Sequence, residues 1–318
     1  MSKIYDSLEE MVGRTPLLRL NNVMRKCSLK ADLLAKCEFY NPIFSIKDRV
    51  ALNMINKAPF SKINADTVFI EATSGNTGIG LAAFCAARGY KLVIVMPENM
   101  APEKIALIRH FGAEVMLTPA SEGMAGAIKK VEILKERSPN LIEFRQFENQ
   151  ANVEAHKLTT GAEILQDTGG NVDAFVCGVG TSGTLTGVAS TLKSCIPDLY
   201  VMAVEPAESA VLSGKPKGTH RIGGIGAGFI PPLYDKELVD EIYTVSTNEA
   251  FKMSRFIARN EGLPVGVSAA AALCGAINLA QRDEMSEKTV VVVLPDSIER
   301  YLTDEFFNTA EEDFNEVF

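Results

Sequence analysis

"FVCGVGTSGTLTGV", residues 175–188, runs from an apolar segment through closely spaced glycines into a helix-compatible segment. Gly178, Gly180 and Gly183 have the G-x-G-x-x-G spacing of a dinucleotide-binding turn, in which the N–H groups at a helix start bind phosphate. Glu205 ends the next apolar run, at roughly the ~20-residue distance of a ribose-binding carboxylate. The stretch therefore predicts strand, tight turn and helix with an anion site. Motifs elsewhere in the sequence are needed to distinguish a pyrophosphate from a smaller anion.

The same alternation of strand and helix extends along the chain. The apolar runs are continuous rather than alternating, which indicates parallel strands buried on both faces. Two helices are predicted to end at Gly89 and Gly112. We therefore expect an α/β fold of two three-layer domains with mostly parallel sheets. Strands are predicted over 67–72, 91–97, 113–119, 174–177, 199–206 and 288–295, and helices over 78–88, 102–111, from about 185, over 248–261 and over 268–281.

Length and charge restrict the class of protein. The 318 residues, 47% of them hydrophobic, suffice for about two domains with sizeable cores. The net charge of −8 and the absence of a basic run argue against a nucleic-acid or membrane partner. The longest apolar run, 267–280, is too short to span a bilayer. A cytoplasmic protein is expected.

Metal and disulfide chemistry are not indicated. The six cysteines form no C-x-x-C pair, and several lie in apolar segments, which favours free buried thiols. The three histidines have no second ligand at a metal-binding spacing. No metal site is expected.

"NPIFSIKDRVALNMI", residues 41–55, places Lys47 after a Pro-containing turn and before a helical pattern. An amine at the positive end of a helix dipole and shielded from water is disfavoured as ammonium, which makes a nucleophile. Taken alone, the "KDR" triplet also suits a surface lysine.

Two polar helix starts complete the set of candidate residues. In "EATSGNTGIG", residues 71–80, backbone N–H groups and the side chains of Thr73, Ser74, Asn76 and Thr77 can converge on an anion such as a carboxylate. In "VGVSAAAAL", residues 265–273, Ser268 begins an Ala-rich helix. Each could also be a helix cap without a ligand.

Together these motifs resemble one family. Their order is N-P-x-x-S-x-K-D-R, T-S-G-N-T-G, G-x-G-T-x-G-T, G-I-G-A-G-F-I-P and P-D-S-x-E-R-Y-L. The chain resembles the A-type cysteine synthases (O-acetylserine sulfhydrylases) of pyridoxal-phosphate fold type II, a group that includes tryptophan synthase β. The resemblance extends from "GRTPLLRL" (13–20) to "ERYLT" (299–303). It implies that the turn at 180–184 holds the single phosphate of pyridoxal 5'-phosphate rather than a pyrophosphate.

The resemblance also implies a role for each candidate residue. Lys47 would bind the cofactor as a Schiff base and then take the α-proton of the substrate. Asn76 would bind the ring hydroxyl oxygen, and Ser268 the ring nitrogen, where a neutral partner favours β-elimination. The phosphate would be bound by Gly180, Thr181, Ser182, Gly183 and Thr184, and the substrate by Thr73, Ser74, Gly75, Thr77, Gln146, Gly226 and Ala227.

The implied reaction is β-replacement. O-acetyl-L-serine would lose acetate to give an aminoacrylate, which sulfide converts to L-cysteine. Cystathionine β-synthases typically have Tyr-Asp where this chain has Ala227 and Gly228, and the B-type cysteine synthases carry an I-R-R-W-P sequence in this region. A cystathionine β-synthase-like or other β-replacement or β-elimination enzyme stays the alternative. A dehydrogenase would leave Lys47 and the "TSGNTG" loop unexplained, whereas an inactive binding protein of this fold would retain them.

Two positions depart from the family pattern. The usual S-S-G-A-A appears here as Ser268 followed by four alanines, and Ser182 stands where glycine is commonest. Ser182 requires a backbone conformation that a side chain tolerates.

The resemblance finally implies how the chain is organised. A smaller domain would comprise 36–150, and 1–35 with 151–318 would form the larger cofactor-binding domain, with the cofactor between them. A homodimer is implied, and some relatives bind serine acetyltransferase.

Overall fold

The computed structural model describes residues 4–59, 61, 63–73 and 75–303. Within these residues the chain divides into two compact units. The first unit comprises the described part of Met1–Val12 together with Asn41–Asn152. The second comprises Gly13–Tyr40 with the described part of Val153–Phe318. Ser74, a predicted substrate residue, lies outside the described residues.

The strands and helices alternate for most of the described chain. The strands are β1 Leu17–Arg19, β2 Asp32–Cys37, β3 Val68–Ala72, β4 Lys91–Pro97, β5 Glu114–Thr118, β6 Leu141–Glu143, β7 Ala174–Gly178, β8 Tyr200–Pro206, β9 Glu241–Val245 and β10 Thr289–Leu294. The α-helices are α1 Asn21–Lys26, α2 Lys47–Asn56, α3 Asn76–Ala87, α4 Pro102–His110, α5 Gly123–Arg137, α6 Gln150–Ala155, α7 Ala162–Thr168, α8 Gly183–Cys195, α9 Thr247–Glu261 and α10 Val267–Ala280; a π-helix over His156–Gly161 separates α6 from α7.

The first unit is built on a parallel sheet. Among the described residues this sheet has four strands in the order β5-β4-β3-β6. Phe69 of β3, Ile79 of α3 and Ile94 of β4 belong to its buried core. The central strands end at the edge from which α3 begins, so the polar residues after β3 lie at the carboxyl edge of the sheet, where α/β proteins place ligands.

The second unit is built on a larger sheet with one antiparallel strand. Its described strands follow the order β1-β2-β10-β7-β8-β9, and only the pairing of β1 with β2 is antiparallel. Every residue of β10, "TVVVVL", is buried. Residues 13–40 group with the later part of the chain because β2 pairs with β10 along its whole length.

The predicted α/β fold with mostly parallel sheets is confirmed. The observed boundaries lie within about two residues of the predicted ones; α3, for example, begins at Asn76 instead of residue 78. Gly89 and Gly112 follow α3 and α4 with φ of 69° and 87°, as helix-ending glycines do. Within the described residues, no helix combines the length and the apolarity that crossing a bilayer requires.

Candidate active site

Lys47 is the first residue of α2. Its backbone N–H donates to Ser45 Oγ at 3.2 Å, and its side chain is half-buried. The preceding turn is fixed by Asp48, whose Oδ2 accepts from the Ile43 N–H at 2.6 Å. This carboxylate is fully buried. The "KDR" triplet therefore is not a solvated charge run: Asp48 and Arg49 are buried, and the backbone of Lys47 is held in a defined place.

Two glycines of α3 bring its first turns against α2 and the end of β3. A Cβ on Gly80 would lie 3.3 Å from the carbonyl oxygen of Lys47, and one on Gly78 would lie 2.9 Å from Thr73 Cγ2. Glycine inside a helix costs about 1 kcal/mol relative to alanine, so these glycines require a packing reason. Here they allow α3 to pack, from its second turn, against the start of α2 at Lys47, and its first turn to lie against Thr73.

The start of α3 has no side-chain cap. Gly75 occupies the N-cap position, and the Gly75 N–H donates to Thr73 Oγ1 at 3.3 Å. The N–H groups of a helix's first turn, together with its dipole, favour an anion. Thr73, Gly75, Asn76 and Thr77 thus lie together at one positive helix end.

Gln146 joins this cluster from a distant part of the sequence. Its side-chain Oε1 accepts from Thr77 Oγ1 at 2.7 Å, and its Nε2 donates to the carbonyl of Ala72 at 3.1 Å. Gln146 is 4% exposed and Thr77 2%. The structure therefore places this predicted substrate residue directly against the predicted carboxylate-binding loop.

The turn between β7 and α8 is shaped by close backbone contacts. A Cβ on Gly180 would overlap the carbonyl oxygen of Gly224. Ser182, the N-cap of α8, has a left-handed backbone with φ of 69° and makes no side-chain cap bond. Its Oγ lies 3.2 Å from Thr186 Oγ1. The Gly183 N–H donates weakly to Thr181 Oγ1 at 3.3 Å, and Ser182 caps none of the N–H groups of the first turn, which suits a phosphate.

His156 supports this turn from the π-helix. Its ring lies between two hydroxyls, with Nε2 3.1 Å from Thr184 Oγ1 and Nδ1 2.9 Å from Thr160 Oγ1. Gly187 makes room for it, because a Cβ there would lie 2.7 Å from His156 Cβ. No motif in the sequence points to His156; the helix-interior Gly187 was the available signal.

Ser268 lies in the first turn of α10 and is 3% exposed. Among the described residues, its hydroxyl has no hydrogen-bond partner. A Cβ on Gly224 would lie 3.6 Å from Ser268 Oγ, so the glycine turn at 222–226 passes close to this hydroxyl. A hydroxyl that makes no hydrogen bond to the described residues is available to bind a ligand atom.

Glu205 does not serve a dinucleotide. Its carboxylate accepts from the N–H groups of Leu212 at 2.8 Å and Ser213 at 2.9 Å, and from Ser213 Oγ at 2.6 Å. Because these bonds occupy both oxygens of a residue that is 2% exposed, the carboxylate fastens a loop instead of binding a ribose.

Gly226 and Ala227 lie in the turn that covers Gly180. Gly226 donates its N–H to the carbonyl of Val179 at 2.9 Å and has φ of 67°. A Cβ on Gly226 would lie 2.6 Å from Pro206 Cγ. Gly226 is therefore required by packing, whereas Ala227 is a half-buried residue at the end of this turn.

Comparison with known proteins identifies the family of the chain. The family model described as "Pyridoxal-phosphate dependent enzyme" matches residues 8–296. The chain belongs to this family. A cysteine synthase of Staphylococcus aureus (strain Mu50) is 48% identical to it over 304 residues, which are 95% of this chain and 96% of the relative.

Solved structures of this pyridoxal-phosphate family match nearly the whole fold. O-acetyl serine sulfhydrylase isoform 3 from Entamoeba histolytica is 44% identical with a TM-score of 0.94, covering 99% of this chain and 95% of that one. An O-acetylserine dependent cystathionine β-synthase from Helicobacter pylori is 38% identical with a TM-score of 0.90, covering 96% and 100%.

The described residues fit the family's cofactor. The uncapped start of α8 suits a phosphate, and the partnerless hydroxyl of Ser268 suits a ring nitrogen. Lys47 supplies a half-buried amine at a helix start. No group of three or more His, Cys, Asp or Glu side chains suited to a metal ion occurs among the described residues. Burial raises the pKa of the Cys37 and Cys85 thiols to about 12, so both are poor nucleophiles.

Proposed function

We propose that the protein forms L-cysteine from O-acetyl-L-serine and sulfide by β-replacement. The uncapped start of α3 with Gln146 against it is the observation that carries this proposal, because it binds an α-carboxylate beside the amine-bearing start of α2. The Staphylococcus aureus cysteine synthase, 48% identical, supports the same reaction.

Each residue of the chain has a distinct task in this reaction. The cofactor, when bound, withdraws electrons from the α-carbon of the amino acid. Lys47 Nζ would hold the cofactor, and its free amine would take the α-proton of the substrate. The turn at 180–184 would hold the phosphate, Asn76 the ring hydroxyl oxygen and Ser268 the ring nitrogen.

The substrate is held by its carboxylate. Thr73, Ser74, Gly75 and Thr77 supply the helix-start loop, and Gln146 supplies an amide N–H. Gly226 and Ala227 border the substrate's side chain. Ala227 and the adjacent Gly228 carry no acidic side chain that could protonate a departing oxygen. Hydroxide is a poorer leaving group than acetate by roughly 10 pKa units, so this site favours O-acetylserine over serine.

The test compares donors and acceptors on the same holoenzyme. O-acetylserine and serine are each combined with sulfide or homocysteine, and cysteine and cystathionine are quantified. We expect cysteine from O-acetylserine and sulfide to form fastest. Faster cystathionine formation from serine and homocysteine would replace this proposal with the cystathionine β-synthase-like alternative. Faster formation from O-acetylserine and homocysteine would make the enzyme resemble the Helicobacter pylori relative in acceptor choice.

We also propose that the enzyme works as a homodimer in the cytoplasm and can bind serine acetyltransferase. The support is the resemblance of the full set of motifs to cysteine synthases. Light scattering of the purified protein, alone and mixed with serine acetyltransferase, measures both assemblies. A monomeric mass, or no change on mixing, would contradict the corresponding proposal.

A further inference from the structure

A buried carboxylate lies in the middle of the first unit's sheet. Glu71 occurs in the apolar strand β3, "VFIEA", and is 2% exposed. Burial raises the pKa of its carboxyl to about 8, and this outweighs the opposing effect of the peptide N–H groups of Gln146 and Arg145; nearby Glu143 raises the pKa further. Burying an ionisable group costs free energy that an apolar residue would not cost. A glutamate buried in an apolar strand is therefore expected to have a specific structural or functional role.

The carboxylate of Glu71 fixes two consecutive peptide groups. Its Oε2 accepts from the Arg145 N–H at 2.8 Å, and its Oε1 accepts from the Gln146 N–H at 3.2 Å. Arg145 has a left-handed backbone with φ of 57°, which a non-glycine residue adopts at a cost of about 1 kcal/mol or more. Glu71 therefore stabilises a strained turn immediately before Gln146.

The side chain of Gln146 has one possible orientation in this setting. The Ala72 carbonyl can only accept, so the atom facing it at 3.1 Å must be Nε2. Oε1 then accepts from the Thr77 hydroxyl. The carbonyl of Gln146 is held as well, by Asn152 Nδ2 at 2.8 Å.

In this orientation, Thr77 and Gln146 have different functions. The Thr77 hydroxyl hydrogen is used in its bond to Gln146, so the hydroxyl does not donate to an anion at the same time. Nε2 carries two hydrogens and gives one to Ala72, which leaves the other for a ligand. The anion-facing donor of this pair is thus Gln146 Nε2.

We propose that Glu71 is a positioning residue for the substrate carboxylate. Through the strained turn at Arg145 it holds Gln146 with one amide hydrogen directed to the anion at the start of α3, and Thr77 acts by orienting Gln146. This inference rests on the proposed function, in which the anion is the α-carboxylate of the substrate. Glu71 itself touches neither substrate nor cofactor.

The experiment compares two ligands that differ only at the carboxylate. L-serine and L-serinamide are titrated into the holoenzyme, and their dissociation constants are measured from the change in visible absorbance and by calorimetry. Glu71→Gln keeps the size of the side chain but replaces one of the two accepting oxygens with an N–H₂ group, which cannot accept from a peptide N–H. We expect it to weaken serine binding on the order of tenfold and to leave serinamide binding unchanged.

Two further variants localise the effect. Gln146→Ala should lose serine affinity to a similar degree, and Glu71→Gln added to it should lose little more, because both changes act on one donor. Glu143→Gln is the matched control. Glu143 is on β6, pairs with Lys135 at 2.7 Å and lies opposite Ile70, the neighbour of Glu71. Its removal should change neither ligand's affinity.

The outcomes separate the two proposals. A wild-type holoenzyme whose spectrum does not respond to serine or O-acetylserine would refute the proposed function. A wild-type response combined with an unchanged preference for serine over serinamide in Glu71→Gln would refute the positioning role alone. If Glu71→Gln fails to fold or to retain cofactor, Glu71→Asp, which keeps the carboxyl group but has a shorter reach, replaces it. Retention of the wild-type preference there would equally overturn the inference.

Discussion

The starts of α3 and α8 are both uncapped, yet they are held in place differently. At α3 the polar groups are fixed by side chains, with Gln146 bonded to Thr77 and Glu71 behind Gln146. At α8 the side chain of His156 also bonds to Thr184, but the turn itself is shaped by a close backbone contact, since Gly180 lies against the carbonyl of Gly224. By contrast, α9 satisfies its own start with a capping box of Ser246 and Glu249. Since α4, α5 and α10 also lack a side-chain cap, an uncapped start does not by itself indicate an anion site; the polar groups gathered at α3 and α8 distinguish these two starts.

The two constructions suit ligands with different residence times. A cofactor that stays bound gains from a turn whose backbone cannot relax, because a preformed site loses little entropy on binding. A substrate that must enter and leave gains from side chains that can reorient. The difference implies that backbone changes at α8 affect cofactor retention, whereas side-chain changes around α3 affect substrate binding and turnover.

The largest effect is expected from a substitution of Lys47, which should abolish turnover while the cofactor is retained. Lys47→Ala should reduce turnover at least ~10³-fold, since it removes the covalent attachment and the base. The turn at 180–184 should still bind the cofactor noncovalently. Turnover, visible absorbance and cofactor content measure these effects. Lys57→Ala, at the other end of α2, is the matched control. A borohydride-reducible protein linkage in Lys47→Ala would contradict the assignment.

The backbone construction of the α8 turn is tested at Gly180. A Cβ there meets the backbone of Gly224, which cannot yield as a flexible side chain can, so Gly180→Ala should lower cofactor affinity at least ~10-fold. Gly75, at the start of α3, has no atom within 4 Å of its Cβ position. Gly75→Ala should therefore retain the cofactor. Equal cofactor loss in both variants, measured by dialysis and absorbance, would remove the distinction between the two helix starts.

Ser268 tests whether a neutral partner is required at the start of α10. Ser268→Ala should cost about 1 kcal/mol, the value of one hydrogen bond, and keep the reaction type. Ser268→Asp should reduce turnover more severely, on the order of 100-fold, because a buried carboxylate would hold the ring nitrogen protonated. Initial rates with O-acetylserine and sulfide measure both. Full activity of the Asp variant would show that Ser268 does not contact the ring.

Local patterns in the sequence predicted the fold and most of the candidate residues. Continuous apolar runs such as "TVVVVL" and glycines after helices are determined by neighbouring residues, so the strands and helix ends were predictable. Glu71 and His156 were not, because each acts through a partner distant in sequence. Glu71 contacts residues 145 and 146, and His156 contacts Thr184. A lone charge within an apolar strand was the only local sign of Glu71.

The buried carboxyl of Glu71 also predicts that the stability of the protein depends on pH. Its pKa of about 8 lies above the value of 4.5 for an unburied glutamate, so the folded chain binds the proton more tightly than the unfolded chain. Its contribution to stability is therefore complete below pH ~4.5 and is lost as the pH rises through about 8, by at most ~1.4 kcal/mol per pH unit. Urea midpoints of wild type and Glu71→Gln from pH 5 to 9 test this. The wild type should lose stability relative to the variant, and parallel curves would contradict the buried titration.

The smallest effect is expected at Ser182, where backbone and side chain make opposite contributions. Its left-handed conformation, φ of 69°, costs about 1–2 kcal/mol in a residue other than glycine. Ser182→Gly relieves this strain but removes the contact of Oγ with Thr186 and gives the unfolded chain more freedom, each worth roughly 1 kcal/mol. The urea midpoint should therefore change by less than the equivalent of ~1 kcal/mol.

If the phosphate is bound by backbone N–H groups, the cofactor dissociation constant of Ser182→Gly should also change little, by about twofold, since a lost hydrogen bond would weaken binding roughly fivefold or more. A loss of tenfold or more in Ser182→Gly would show that the hydroxyl binds the phosphate directly, and that the α8 turn also depends on side chains.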